Sequence, residues 1–149
     1  MLAATVLVAG CFAPRAEMQA RTWRPAGAGG QSLGQLVAAS PGISGVTWES
    51  FDGPDGRTEV RLAAEYAMAR VGRSCPPPPA GSLPAARAFL ILGLTVSPAG
   101  AVDFAFAEAR AYASSGAYVS RPLDIGVMAD LVARAAVLPC RCLVVPAGW

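Results

Sequence analysis

The side chains best equipped for chemistry in this chain are thiols and carboxylates, because histidine is absent. That absence removes Ser-His-Asp and Cys-His catalysis, and any histidine metal site. Three of the four cysteines are Cys75, Cys140 and Cys142. In an oxidising compartment Cys75 can bond to either Cys140 or Cys142, which ties a proline-rich segment to the tail and leaves one thiol over. In chain-entropy terms a closed loop of about 65 residues corresponds to roughly 4 kcal/mol. The alternative is a three-thiolate metal or redox site built on Cys-Arg-Cys. Zinc usually takes four ligands, and no imidazole can supply the fourth. The disulfide is the expectation.

The carboxylates offer less. Glu59 and Glu65 lie six positions apart in an alternating segment, hence on one side of a strand, with Arg61 between them. A glycosidase needs two carboxylates flanking a cleft, and nothing in the sequence marks one. Asp52 and Asp55 in DGPDG resemble the start of a calcium loop but lack its downstream bidentate glutamate, so they read as turn formers. Trp23, Trp48 and Trp149 read as tether, core and tail contacts. No catalytic residue, metal site or cofactor is expected, and the chain reads as a non-enzyme.

Cys11 is a different matter. It ends the run LAATVLVAG, in which Thr5 is the only polar side chain. That run is too short for a transmembrane helix, which needs about 20 residues, and it suits the apolar region of a secretory signal. Val8-Ala9-Gly10-Cys11 resembles the bacterial lipobox: a branched aliphatic, two small residues, and the cysteine that takes the lipid. Small residues let the signal peptidase bring backbone close to its catalytic groups, and only a thiol forms the diacylglycerol thioether. Cys11 is therefore the expected lipidation site, with residues 1–11 as signal and anchor. Residues 12–30 drift into Pro, Gly and Ala without a steady period, as a flexible tether would. The folded part then lies in the cell envelope, facing the periplasm. With Phe12 where a retention aspartate would stand, the outer membrane is the default where two membranes exist. Several acyl chains hold far better than one.

Composition narrows the partners. The chain has 149 residues, is 54% hydrophobic and only 15% charged, which suits one ordered domain. Its basic residues are all arginine, and lysine and asparagine are absent, a bias of the kind a GC-rich genome produces. A net charge of +2 with scattered arginines offers no phosphate-tracking groove. Nucleic acid is not an expected partner.

A single domain is expected over residues 31–149. Ser32 caps a short helix, SLGQLVAA, with Leu33, Leu36 and Val37 on one face. The period then changes to two: GVTWESF is a strand, DGPDGR a turn, and TEVRLAAEYAMARV a longer strand. In the latter, Val60, Leu62, Ala64, Tyr66 and Met68 alternate with a charged side. Residues 72–86 form a connector with four consecutive prolines, a stiff surface loop. Phe89 to Val96 is apolar almost throughout and reads as a central strand. Ser97-Pro98-Ala99-Gly100 supplies turn chemistry, and Val102, Phe104 and Phe106 share a face of the returning strand. SSG at 114–116 opens a loop. Leu123, Val127, Leu131, Ala135 and Leu138 then make one helical stripe, with Pro122 in the first turn. A short strand at Leu143 to Val145 closes the chain. The expected fold is α+β: a four-stranded antiparallel sheet from two β-hairpins, with one or two helices packed on one face.

LGQLVAA…VTWESFDGPDGRTEV resembles a group of small, uncharacterised bacterial lipoproteins. Those read as a short helix, T-W-x-x-F, an acidic-glycine turn, a G-R-x-x-V strand and a second hairpin like FLILGLTVSPAGAVDF. The likeness covers about residues 31 to 113 and carries no activity. A weaker likeness runs to the TonB C-terminal domain: LTVSPAGAV looks like its first strand-turn-strand, and SSG with Leu123-Asp124 like its later SSG…LD. By analogy it implies partner binding.

The functional expectation is a lipid-anchored envelope module that binds or scaffolds another protein without catalysis. Its membrane contact is the anchor. The alternative is a thiol-dependent redox or metal-binding protein using Cys75, Cys140 and Cys142. A small-ligand carrier with a pocket lined by Phe104, Phe106 and Tyr66 is a third.

Overall fold

A computed structural model describes residues 12–71, 75–124 and 138–148. Residues 1–11, with Cys11, lie outside the described residues, as do most of the 122–138 stripe and Trp149. The fold is α+β, with five antiparallel strands in the main sheet where four were expected.

Helix α1 spans Phe12–Thr22 and α2 spans Leu33–Ala39. Within residues 12–30, expected as a flexible tether, Phe12–Thr22 is helical and the remainder is turn and loop. Ala16 and Ala20, one turn apart, are buried, and the Leu33 N–H donates to the Trp23 carbonyl at 2.8 Å. Helix α2 starts as its sequence requires. Ser32 Oγ accepts from the Gln35 N–H, and Gln35 Oε1 accepts from the Ser32 N–H.

Strands β1 (Ile43–Asp52) and β2 (Thr58–Tyr66) form the first hairpin, joined by a 3₁₀ turn at Pro54–Gly56. Asp55 takes φ +57 there, a conformation that Asp tolerates better than most residues. The expected longer second strand stops at Tyr66, and Met68–Val71 form one helical turn, α3. Strands β4 (Arg87–Val96) and β5 (Val102–Tyr112) form the second hairpin, with Gly100 at φ +90 in the turn. Within the connector, Ser82–Pro84 is a short strand, β3.

Strand β6 (Tyr118–Leu123) accounts for the fifth strand. Pro122 and Leu123 therefore end a strand and do not begin a helix. Proline is tolerated there because β6 is an edge of the sheet. The main sheet runs β1-β2-β4-β5-β6, so β4 is central as its apolar run predicted. A separate ribbon pairs β3 with β7 (Val144–Pro146), one residue later than the strand expected at the tail.

The inner face of the main sheet carries the core. One cross-strand row is Trp48, Leu62, Leu92, Ala107 and Leu123. Leu62 and Leu92 are fully buried. Alanines in α1 let that helix lie close to this surface. Leu138, Cys142 and Leu143 from the tail join the same core.

Candidate functional site

Alternation places Phe104 and Phe106 on one face only if β5 is regular, and it is not. The pairing Gly93–Phe106 is followed by Leu94–Phe104, so Ala105 is an extra residue. Such a bulge reverses which side chains face the core. Phe104 packs inward, whereas Phe106 lies 41% exposed on the outer face. Tyr66 faces inward and is buried, so Phe104, Phe106 and Tyr66 line no common pocket.

Gly93 explains how Phe106 is held. A Cβ at this position would collide with the Phe106 ring, so the phenyl lies directly on the glycine backbone. An aromatic over a strand glycine replaces the packing that the glycine lacks. Arg61 pairs across from Gly93, and its guanidinium lies 5.1 Å from the Phe51 ring centroid. Phe51, Arg61, Gly93, Thr95 and Phe106 border a shallow cavity of about 100 Å³.

The outer face continues toward the other end of the sheet. Glu65 accepts from Arg87 Nε at 2.7 Å, and that hydrogen bond holds the Glu65 carboxyl below its ordinary range. The Arg87 guanidinium also lies 4.9 Å from the Phe89 ring. Phe89 meets Tyr112 edge to face, and Tyr112 stacks on Tyr118 at 5.5 Å. Beside them, Glu108 binds Arg110 and accepts from Ser120 Oγ. Aromatic and arginine side chains thus run along the outer surface, interleaved with carboxylates. Phe51 and Tyr118 are 43% and 60% exposed at its two extremes.

Glu59 and Glu65 do share this face. Glu65 is committed to Arg87, whereas Glu59 borders the shallow cavity beside Phe106, so the two carboxylates do not flank that cavity together. Asp52 and Asp55 belong to the β1–β2 turn region, as expected of turn formers. A cavity of about 440 Å³ lies near that turn, beneath the first half of α1, and Arg15, Gln19, Asp52, Arg57, Val96 and Pro98 help to line it. It holds two guanidinium groups and a single carboxylate.

The three C-terminal-half thiols divide as follows. Cys75 and Cys140 form a disulfide with a Cα–Cα distance of 5.4 Å, across 65 residues of sequence. Cys142 is a free, buried thiol. The bond fastens the proline segment to the 3₁₀ turn Cys140–Leu143 and so delivers β7 to β3. A cavity of about 190 Å³ adjoins it, bordered by Cys75, Cys140 and Pro76 to Pro78. Among the described residues, no three His, Cys, Asp or Glu side chains gather as a metal site would require. Among them too, no helix is long and apolar enough to cross a membrane.

Sequence reasoning missed the Phe51–Arg61–Phe106 cluster. Its signal was Gly93, a lone glycine inside an apolar strand, which marks a bulge or a close approach. No protein-family model matches the chain, and no curated protein or solved structure is significantly similar to it.

Proposed function

We propose that the chain is a lipid-anchored bacterial envelope protein whose folded part is a non-catalytic docking module. It presents the outer face of its main sheet to another protein. The observation that carries this reading is the exposed aromatic–arginine surface, with Phe51, Arg61 and Phe106 at one end and Tyr118 at the other. Aromatic and arginine side chains give large contact area at low entropic cost, and they dominate interface energetics. The Cys75–Cys140 disulfide supports an oxidising compartment. The sequence before α1 supports an anchor at Cys11, in the outer membrane by default.

The test has two arms. Cells fed an alkyne fatty acid incorporate it into the wild-type chain and not into Cys11→Ala. A photo-crosslinking side chain at Phe106 captures one defined envelope protein, and Arg61→Glu abolishes that adduct. Label that survives Cys11→Ala sinks the anchor. An adduct indifferent to Arg61→Glu sinks the docking face.

A second reading has one observation in its favour, the cavity beside a half-buried disulfide with Cys142 two residues from Cys140. Thiol exchange would then be the function. Mass spectrometry without reductant separates the two. A fixed Cys75–Cys140 bond supports the structural role, and a mixture with Cys75–Cys142 supports exchange.

A further inference from the structure

The two edges of the main sheet are finished differently. Strand β6 is short, contains Pro122, and is tied to the neighbouring ribbon by Arg121, which donates to the Val144 carbonyl at 3.1 Å. Those features block an incoming strand. Strand β1 has ten residues, no proline and no basic side chain, and among the described residues no strand pairs with its outer edge. Its one irregularity is at the start, between Ile43 and Gly45, so the run from Gly45 to Asp52 is regular. Unpaired backbone donors and acceptors along such an edge are a template for another strand.

We infer that the β1 edge pairs antiparallel with β1 of a second copy of this chain, about a two-fold axis at Trp48, joining two five-stranded sheets into one. The register follows from the residues. An axis at Glu49 would set carboxylate against carboxylate, which is destabilising. An axis at Thr47 would run Phe51 into the irregular start of the strand. The axis at Trp48 uses the whole run 45–51 and opposes Thr47 to Glu49, Val46 to Ser50, and Phe51 to Gly45. No like charges meet. The last pair repeats, between copies, what Phe106 does over Gly93 within one copy. Nothing lies within 4 Å of a Cβ built on Gly45, so the space for the partner's ring is open. On the inner side, Val46 is 37% exposed and Trp48 half-buried, beside an open groove of about 250 Å³ that also involves Arg21 and Val37. The Arg21 guanidinium lies 5.1 Å from the Trp48 ring centroid there, so the two Trp48 side chains would meet at the axis with an arginine beside each. The pairing is independent of the membrane address, and it would double the docking face on one continuous surface.

The test uses the full chain, produced in cells as two differently tagged copies, one carrying Thr47→Cys and the other Glu49→Cys. Both positions are exposed on the outer face. In the proposed register they are directly opposed, within disulfide reach. Two copies of the same variant place their new cysteines on a diagonal of about 7–8 Å, outside that reach. Under mild oxidation, non-reducing electrophoresis is expected to show a band of doubled mass bearing both tags. That band should be absent from either variant alone and from the parent chain. Retention of the Cys75–Cys140 bond reports that each variant is folded. No mixed band from folded variants overturns the proposal, as does a band of equal strength from either variant alone. A cross-link from position 47 to a different protein overturns self-pairing in favour of a foreign strand at the same edge.

Discussion

Leu92 and Gly93 are neighbours in β4, yet they face opposite sides of the sheet and are covered in opposite ways. Leu92 sits at the centre of an inner row of large and small apolar side chains, in one core with the helices' buried alanine, leucine and valine side chains. Gly93 is covered by Phe106, itself 41% exposed, with Arg61 alongside. The inner face gains its stability from water exclusion, which scales with buried apolar area. The outer face is held by individual cross-strand pairs, each worth roughly 0.2–1 kcal/mol. A surface of the second kind can be altered without unfolding the protein, so it is available for recognition.

The largest expected effect sharpens that contrast. Leu92→Ala removes a fully buried side chain from a close-packed row and is expected to cost about 2–5 kcal/mol. Phe106→Ala should cost less than half as much, because its ring is partly solvated already. Urea denaturation with the disulfide intact compares the two. Equal losses would mean that the outer face is as much a core as the inner one.

The same contrast explains what could be read from the residues alone. The inner face of β2 was legible because Val60, Leu62, Ala64 and Tyr66 alternate without interruption. The turn at Ser97 to Gly100 was legible because proline and glycine each serve one backbone requirement there. Helix α1 was not, since the buried positions among its described side chains, Ala16 and Ala20, are too weakly apolar to stand out from an alanine-rich sequence. Strand β6 was not, because Pro122 at an edge and Pro122 opening a helix look alike in sequence. The Phe51–Arg61–Phe106 cluster was hidden by a single inserted residue, Ala105, which reverses every later side chain of β5. A proposed Cys75 disulfide was legible, but its partner was not, because Cys140 and Cys142 differ only by placement on a 3₁₀ turn.

An intermediate effect comes from Tyr66, the one tyrosine on the inner face. Burial pushes its hydroxyl up to about 12, with Cys142 adding to the shift. Between pH 10 and 12 the unfolded chain ionises this tyrosine while the folded protein keeps its proton. The unfolded state then binds fewer protons, and stability falls with rising pH. The loss should approach about 2–3 kcal/mol by pH 12. Tyr66→Phe should flatten that part of the curve relative to wild type. A wild-type slope unchanged by the substitution would remove Tyr66 from the buried face.

The smallest effect belongs to the outer face and tests whether its ion pairs are structural. The Glu65 carboxyl lies below its ordinary range, because the Arg87 hydrogen bond favours the ionised form. Stability from this pair is therefore present above the unfolded carboxyl pKa and lost as pH falls through the folded one. Both side chains are substantially solvated, so solvent screening keeps the contribution small. Glu65→Gln should lower stability slightly at neutral pH and converge with wild type in acid, as thermal melts across pH 2–7 would show. The substitution removes the carboxylate charge that neutralises Arg87 beside the Phe89 ring, which makes that end of the face more cationic. A partner that docks there through carboxylates would bind the variant more tightly while the fold is slightly weaker. Stability and recognition moving in opposite directions would separate the two faces. Both falling together would mean that the pair orders the surface the partner reads.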